Sequence, residues 1–387
     1  MAGRESAAYL FLSLLQARTG GSLSSRLAGR DVRAVLERPA DEFAREMNLT
    51  ERATRALAEL REGFDACALV ERLALKGVRV LTRAEEGYPA RLGAAPDPPP
   101  ALFVEGRLPE GGFVALVGSR KATRAGVETA YGLGRELAAR GVCVVSGLAF
   151  GVDAAAHEGA LAAGGATVGV LGCGIDVVYP RSNRELFRRV EAQGALVSEY
   201  STGEAPLAWR FPARNRIIAG LSDAVVVVEA PEKSGALITA RHALDAGRDV
   251  WAVPGPPGSP ECRGSNRLLA DGAGVLWDVP EFLEAVTDHR GEVGGGLSPT
   301  GPPTGPPTGP LTGPVVNQHE IPETPVGLPE GEAEVLRGVD FRAVGADVVA
   351  GRTRVEMRAV LSSLAMLELK GYVARDAAGN FSRRSAL

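Results

Sequence analysis

The sequence predicts an α/β protein whose body is a parallel sheet covered by helices on both faces. Three observations predict it. Short, almost uninterrupted apolar stretches recur between Phe113 and Val253, helical segments alternate with them, and glycines and hydroxyls cluster where the stretches end. Strands apolar on both faces belong to sheets buried on both sides, and crossover helices make those sheets parallel. The strands expected are Phe113–Val117, Val142–Ser146, Thr167–Leu171, Ala195–Ser198, Ala224–Glu229 and Asp249–Val253. The intervening helices are expected at Gly126–Arg140, Ala154–Ala163, Arg184–Glu191 and Ala236–Ala246.

Residues 1–65 precede this body as a helical domain. Tyr9, Leu10, Leu14 and Leu15 form one apolar face, Val32, Val35 and Leu36 a second, and Leu57 and Leu60 a third. Thr50 is placed to cap the helix entered by Glu51 and Arg52. The main domain spans residues 66–290. It opens with a bridge in which Val78–Leu81 and Leu102–Gly106 read as strands, and Pro96, Pro98, Pro99 and Pro100 interrupt it.

Residues 291–325 read as a linker. Gly301-Pro302-Pro303-Thr304 is echoed at Gly305 and Gly309, a period of four that excludes collagen and cannot build a core. The last domain, residues 326–387, shows short helices around Glu332–Leu336 and Val344–Val349. A longer amphipathic stretch follows Thr353, and a hairpin turns through Ala378-Gly379-Asn380. That is a winged-helix pattern, with Arg352, Arg354, Arg358, Arg383 and Arg384 available to DNA and protein docking as the alternative.

Composition narrows the function. A chain of 387 residues with formal charge −4 is no general polyanion sponge, so any basic site is local. Lysine occurs only at Lys76, Lys121, Lys233 and Lys370, and arginine carries the remaining positive charge. The cysteines Cys67, Cys143, Cys173 and Cys262 form no C-x-x-C pair, and the histidines show no zinc spacing, so neither disulfides nor a metal or other cofactor is expected. No leader and no membrane-length apolar run is evident, which makes the cytoplasm the expected location.

The chemistry concentrates at the strand ends, where open α/β sheets bind ligands. Gly118-Ser119-Arg120, followed by Lys121, offers a tight turn, hydroxyl and amide donors and a guanidinium fork. Thr123 is expected to cap the next helix and turn its positive end toward an anion. Gly147 and Gly151 in Ser146–Asp153 allow close backbone approach, but neither a dinucleotide G-x-G-x-x-G nor a P-loop is present. His157 reads as a packed histidine, four residues from Asp153 with no nucleophile beside them.

Beyond Leu171-Gly172-Cys173-Gly174, Tyr179 is a lesser stacking candidate and Asn183 a helix cap. The densest tract is Trp209-Arg210-Phe211-Pro212-Ala213-Arg214-Asn215-Arg216. Its proline argues against a regular helix, and its mixture of rings and guanidinium groups suits single-stranded nucleic acid. The competing reading makes Trp209 and Phe211 core and pairs an arginine with Asp223 or Glu229. Lys233, Ser234 and Gly235 complete the candidate site, and Glu229 contacts a sugar or base edge or pairs with Arg214 or Arg216.

In these tracts the chain closely resembles the DprA/Smf family of bacterial DNA-processing proteins. The resemblance rests on Gly118-Ser119-Arg120, Ser146–Ala149 with Gly151-Val152-Asp153, Tyr179-Pro180 and Ser198-Glu199-Tyr200. It continues through Phe211–Leu221, Ser234–Ala240, Gly247-Arg248 and Val253-Pro254-Gly255, in family order. The resemblance implies an extended Rossmann-like domain that binds single-stranded DNA and forms a homodimer, and the lack of a catalytic triad or evident nucleophile in the sequence makes a non-enzymatic binder the expectation. It further implies that the protein protects incoming DNA in natural transformation and loads the RecA recombinase, helping to displace single-strand-binding protein. By the same analogy Arg120 and Arg210–Arg216 contact phosphates, and Phe211 stacks on a base. Many family members carry a basic residue where this chain has Phe150. The alternative is a nucleotide-acting enzyme of the N-glycosidic hydrolase kind, for which a P-G-G-x-G-T tract is missing.

Overall fold

A computed structural model describes residues 3–20, 23, 27, 29–291, 329–339, 344–353, 355–369, 372–375 and 380–383. The linker repeats, Gly21, Ser22, Arg354, Ala378, Gly379 and Arg384 lie outside these residues. Helices α1 to α5 span Arg4–Thr19, Ala34–Glu37, Ala40–Glu46, Glu51–Glu62 and Ala66–Ala74. Strand β1 is Arg79–Thr82, the short helix α6 is Ala90–Gly93, and β2 is Ala101–Gly106. The main alternation then runs β3 (Phe113–Val117), α7 (Arg124–Ala139), β4 (Cys143–Ser146), α8 (Val152–Ala162), β5 (Thr167–Leu171), α9 (Arg184–Gln193) and β6 (Ala195–Ser198). It continues through α10 (Arg210–Leu221), β7 (Ala224–Val227), α11 (Ala236–Asp245), β8 (Asp249–Ala252), α12 (Arg263–Ala270), β9 (Gly274–Val275) and α13 (Val279–Gly291).

The described strands form a nine-stranded sheet in the order β1-β2-β6-β5-β4-β3-β7-β8-β9. From β6 to β9 all neighbours are parallel, while β2 runs antiparallel to β6 and β1 antiparallel to β2. The chain builds outward from β3 to β6, then returns to place β7 on the other side of β3. The order reverses between β3 and β7, which puts a ligand crevice beyond their carboxyl ends.

Alternation within the strands explains the two helix layers. Ala115, Val117, Val145, Val225 and Val227 face Ile217, Ile218, Ala240 and Ala243 of α10 and α11. Val114, Leu116, Val144 and Val226 face Leu133, Leu137, Ala156 and Phe282 of α7, α8 and α13. Cys143 is buried among these side chains, and burial pushes its thiol up to about 12, as suits a small hydrophobe.

The helical front has its own core of Phe11, Leu15, Val35, Phe43 and Leu57. The expected cap is present, with Thr50 Oγ1 accepting from the Ala53 N–H at 3.3 Å. Leu10 on α1 joins Phe103, Leu148 and Leu171 in a further cluster, so the front and the sheet form one compact unit, residues 1–298.

The second unit begins at residue 299. Its described part comprises α14 (Glu330–Gly338), α15 (Ala346–Thr353), α16 (Met357–Leu369), β10 (Val373–Arg375) and β11 (Phe381–Arg383). The two strands pair antiparallel with Ala374 opposite Ser382, and Leu336, Val349, Val360, Leu364, Val373 and Phe381 fill the centre. Three helices and a hairpin make a winged helix. Arg358 on α16 is exposed, whereas Arg352 donates to the Gly338 carbonyl at 3.3 Å. Among the described residues no helix is long and apolar enough to cross a membrane.

Candidate nucleic-acid interface

Loops from three strand ends and the first turns of two helices enclose an open pocket of about 440 Å³. Gly118, Ser119, Arg120 and Lys121 come from the turn after β3, and Ala149 and Asp153 from beyond β4. Phe211, Arg214 and Asn215 come from α10, Pro231, Ser234 and Gly235 from the β7–α11 connection, and Thr239 from α11. The pocket therefore sits at the reversal of strand order. Backbone bonds tie the turns together: Ser119 N–H donates to the Glu229 carbonyl at 2.7 Å, and Val152 N–H to the Ser119 carbonyl at 3.2 Å.

Arg120 is exposed, and its guanidinium lies 5.5 Å from the centroid of the Phe211 ring. Such a contact orients the cation without consuming its hydrogen-bond donors. Tyr179 approaches the same ring at 5.3 Å. Ser119 Oγ accepts from the Lys121 N–H at 3.1 Å, so the serine shapes the turn as well as lining the pocket. Ser234 Oγ accepts from Ala236 N–H at 3.2 Å, and Asn215 Nδ2 donates to the Gly235 carbonyl at 3.2 Å. Asn215 thereby clamps α10 to the start of α11. Lys233 is exposed and does not line the pocket.

The arginine tract differs from its expected form. Residues 210–221 are helical despite Pro212. Pro212 occupies the first turn, where backbone N–H groups have no intrahelical acceptor, so a missing donor costs little. Helix formation sends the three arginines in different directions. Arg210 is only 2 % exposed and donates to Ala17 O, Ala205 O and Glu204, with its guanidinium 4.3 Å from the Tyr200 ring centroid. Arg216 bonds Asp97 at 3.0 Å and Glu199 at 2.8 Å. Burial works against its charge, but the two carboxylates outweigh it and raise its pKa. Neither Arg210 nor Arg216 lines the pocket.

Arg214 reaches the pocket floor but is 3 % exposed and committed inward. Its Nη1 donates to Gly147 O at 2.9 Å and to Val170 O, joining α10 to the ends of β4 and β5. Burial pushes this guanidinium down to about 10, opposed by Asp153. Burial in turn raises Asp153 above the usual carboxylate range, with Arg214, the Ala149 N–H and Arg120 pulling the other way. Gly147 meets protein groups: a Cβ there would fall 2.5 Å from Arg214 Nη2 and 2.7 Å from Asp153 Oδ2.

Further expectations are corrected. Thr123 does cap α7, its Oγ1 accepting from Gly126 N–H at 3.0 Å, but the helix end is not open to an outside anion. The buried Glu229 carboxylate already occupies it, accepting from Thr123 N–H at 2.8 Å and from Thr123 Oγ1. Glu229 is thus a helix-end counter-charge and forms no ion pair with Arg214 or Arg216. Asn183 makes no side-chain cap on α9; its Nδ2 donates to Leu148 O at 3.1 Å. The partner of Asp223 is Arg91, at 2.6 Å. Trp209 is 42 % exposed and Phe211 is half-buried, so neither ring is core.

His157 is buried as expected. Thr167 Oγ1 donates to Val144 O at 2.7 Å and so receives the His157 Nδ1–H, also at 2.7 Å, which assigns the neutral tautomer. Burial pushes the imidazole down to about 3. Pro231 and Thr239 are pocket residues that the sequence reading missed. Thr239 lies four residues after Gly235, one turn along the same helix face, and that spacing was a usable signal.

Comparison with known proteins places this geometry. Residues 79–287 match the family of DNA recombination-mediator protein A, and residues 320–379 match the DprA winged helix domain. The chain belongs to the DprA/Smf family. It is 35 % identical to Protein Smf of Synechocystis over 84 % of this chain and 85 % of that one. The crystal structure of DNA processing protein A from Streptococcus pneumoniae matches with a TM-score of 0.61 at 32 % identity, covering 73 % of this chain and 97 % of that one. DNA processing protein A of Helicobacter pylori, whose structure addresses its single-stranded DNA binding mode, matches with a TM-score of 0.50 at 31 % identity, covering 55 % and 96 %. Membership rests on the sheet domain and the winged helix together.

Proposed function

We propose that this chain is a non-catalytic single-stranded DNA-binding mediator that lays the strand across the β3–β7 crest. The observation that carries it is Arg120, exposed beside the Phe211 ring at the rim of a pocket lined by Ser119, Lys121 and the first turn of α11. A cation for phosphate next to a ring for a base is the combination that single strands require. The homologue from Helicobacter pylori supports the same ligand.

The full reading adds a homodimer that protects incoming DNA in natural transformation and loads RecA, with displacement of single-strand-binding protein. A nucleotide-acting enzyme is disfavoured because Glu229, its candidate carboxylate, has both oxygens engaged by Thr123. Arg120 and Lys121 are the phosphate ligands, Ser119, Ser234 and Gly235 the neutral donors, and Phe211 the stacking ring. Lys233 contributes long-range charge.

Titrating labelled oligothymidylate over a salt series tests the groove. Arg120→Ala should weaken binding and reduce the slope of log affinity against log salt by about 0.7. Wild-type affinity and slope in that variant would reject the crest as the binding site. RecA-catalysed strand exchange on strands coated with single-strand-binding protein tests mediation, with stimulation by this protein as the expected result.

A further inference from the structure

Phe150 is 49 % exposed, although the loop that carries it is held on both sides. Ala149, immediately before it, lines the pocket. Gly151, immediately after it, packs against the β3 turn so closely that a Cβ would lie 2.2 Å from Ser119 O, and its φ of +72° favours glycine. Leu148 is fully buried with a left-handed φ of 55°, and its carbonyl accepts from Asn183. A clamped loop that holds a leucine in a disfavoured conformation and a phenylalanine in water marks a ligand-facing element. Tyr179, 46 % exposed, begins the segment whose Asn183 holds that loop. Rings thus emerge after β4 (Phe150), after β5 (Tyr179) and at the start of α10 (Phe211), all at the same end of the sheet.

We propose that Phe150 is a base-stacking residue, taking a nucleobase of the strand whose phosphates lie at Arg120 and Lys121. The proposal rests on the crest being a single-stranded DNA groove and adds a subsite to it. A nucleobase is favoured over a protein surface because the loop that carries the ring packs on the turn that carries the exposed Arg120 and Lys121. Gly151 packs against the carbonyl side of Ser119 and Arg120, so the turn that carries the Phe150 ring adjoins the turn that carries the exposed Arg120. Exposed rings and cations on adjoining turns suit a chain that alternates bases and phosphates.

The test compares the full-length wild type with Phe150→Ala and Phe150→Trp on two labelled oligodeoxynucleotides of equal length, one oligothymidylate and one abasic. Loss of one stacked base predicts that Phe150→Ala binds oligothymidylate about 5- to 150-fold more weakly. Abasic binding and the salt slope should stay unchanged, and Phe150→Trp should retain wild-type affinity. Unchanged oligothymidylate binding in Phe150→Ala, or equal loss on both oligonucleotides, overturns the assignment and leaves the ring to a protein partner or to the fold. If the wild type binds neither oligonucleotide, the groove itself is refuted; if it binds both equally, stacking is refuted while the phosphate contacts stand.

Discussion

Replacing Arg214 by methionine separates a structural guanidinium from a DNA-binding one. The side chain donates to the Gly147 and Val170 carbonyls in a site almost closed to water, beside the buried Asp153 carboxylate. Methionine preserves much of the apolar volume but supplies no donor and no charge. Two buried carbonyls then lose their partner and Asp153 loses its nearest compensation. Breaking a buried charged group's contacts in this way costs about 3–5 kcal/mol, a large share of the roughly 5–15 kcal/mol that holds a typical domain folded.

Urea or thermal unfolding reads the effect directly, with a fall in Tm of roughly 6–20 °C. The pH dependence adds a second check. Asp153 has a raised folded pKa, so its burial penalty is absent below the unfolded value near pH 4 and grows as pH rises. Removing Arg214 enlarges that penalty, and the stability deficit should therefore shrink on acidification. The folded fraction of the variant should keep the wild-type salt slope for single-stranded DNA. Near-wild-type stability with a slope reduced by about 0.7 would show that the guanidinium faces phosphate, refuting the assignment.

Other outcomes follow from the same contacts. His157, pushed down to about 3 by burial, contributes stability that is full above the unfolded pKa near 6.5 and is lost as pH falls toward 3. Between those limits its share of the slope is about 1.4 kcal/mol per pH unit, which His157→Gln should remove from a pH series of unfolding curves. Gly159→Ala would put a Cβ 2.0 Å from the Tyr131 carbonyl where α8 crosses α7, so denaturation should show a loss of about 1–3 kcal/mol or more. Glu229→Ala should destabilise by about 1–2 kcal/mol through the exposed start of α7, and hydrogen exchange at Thr123 should accelerate most.

Much of this molecule is legible along the chain. The six parallel strands from β3 to β8 fall within one or two residues of their apolar runs, because buried strands are apolar along most of their length, whereas β9, two residues long and not buried, carries no such run. The winged helix shows through in the spacing of Val360, Leu364 and Leu367, now its core. The crest was legible too: glycine and hydroxyl tracts at strand ends mark turns wherever the strands finally pair. Pro212 misled because a proline's effect depends on its position in a helix, and that position is set by where the helix begins.

By itself, the order of residues determined the α/β body, its flanking helical elements and the end of the sheet where the crest pocket lies. These follow from periodicity and turn chemistry, which act over a few residues. Only the tertiary structure decided which charges remain available. Arg210, Arg214 and Arg216 look alike in sequence, yet their partners Ala17, Gly147, Val170, Asp97 and Glu199 come from other elements of the fold. Arg120 by contrast stays exposed, with its guanidinium beside the Phe211 ring. Exposure is fixed by contacts between residues distant in the chain, and no local pattern encodes it.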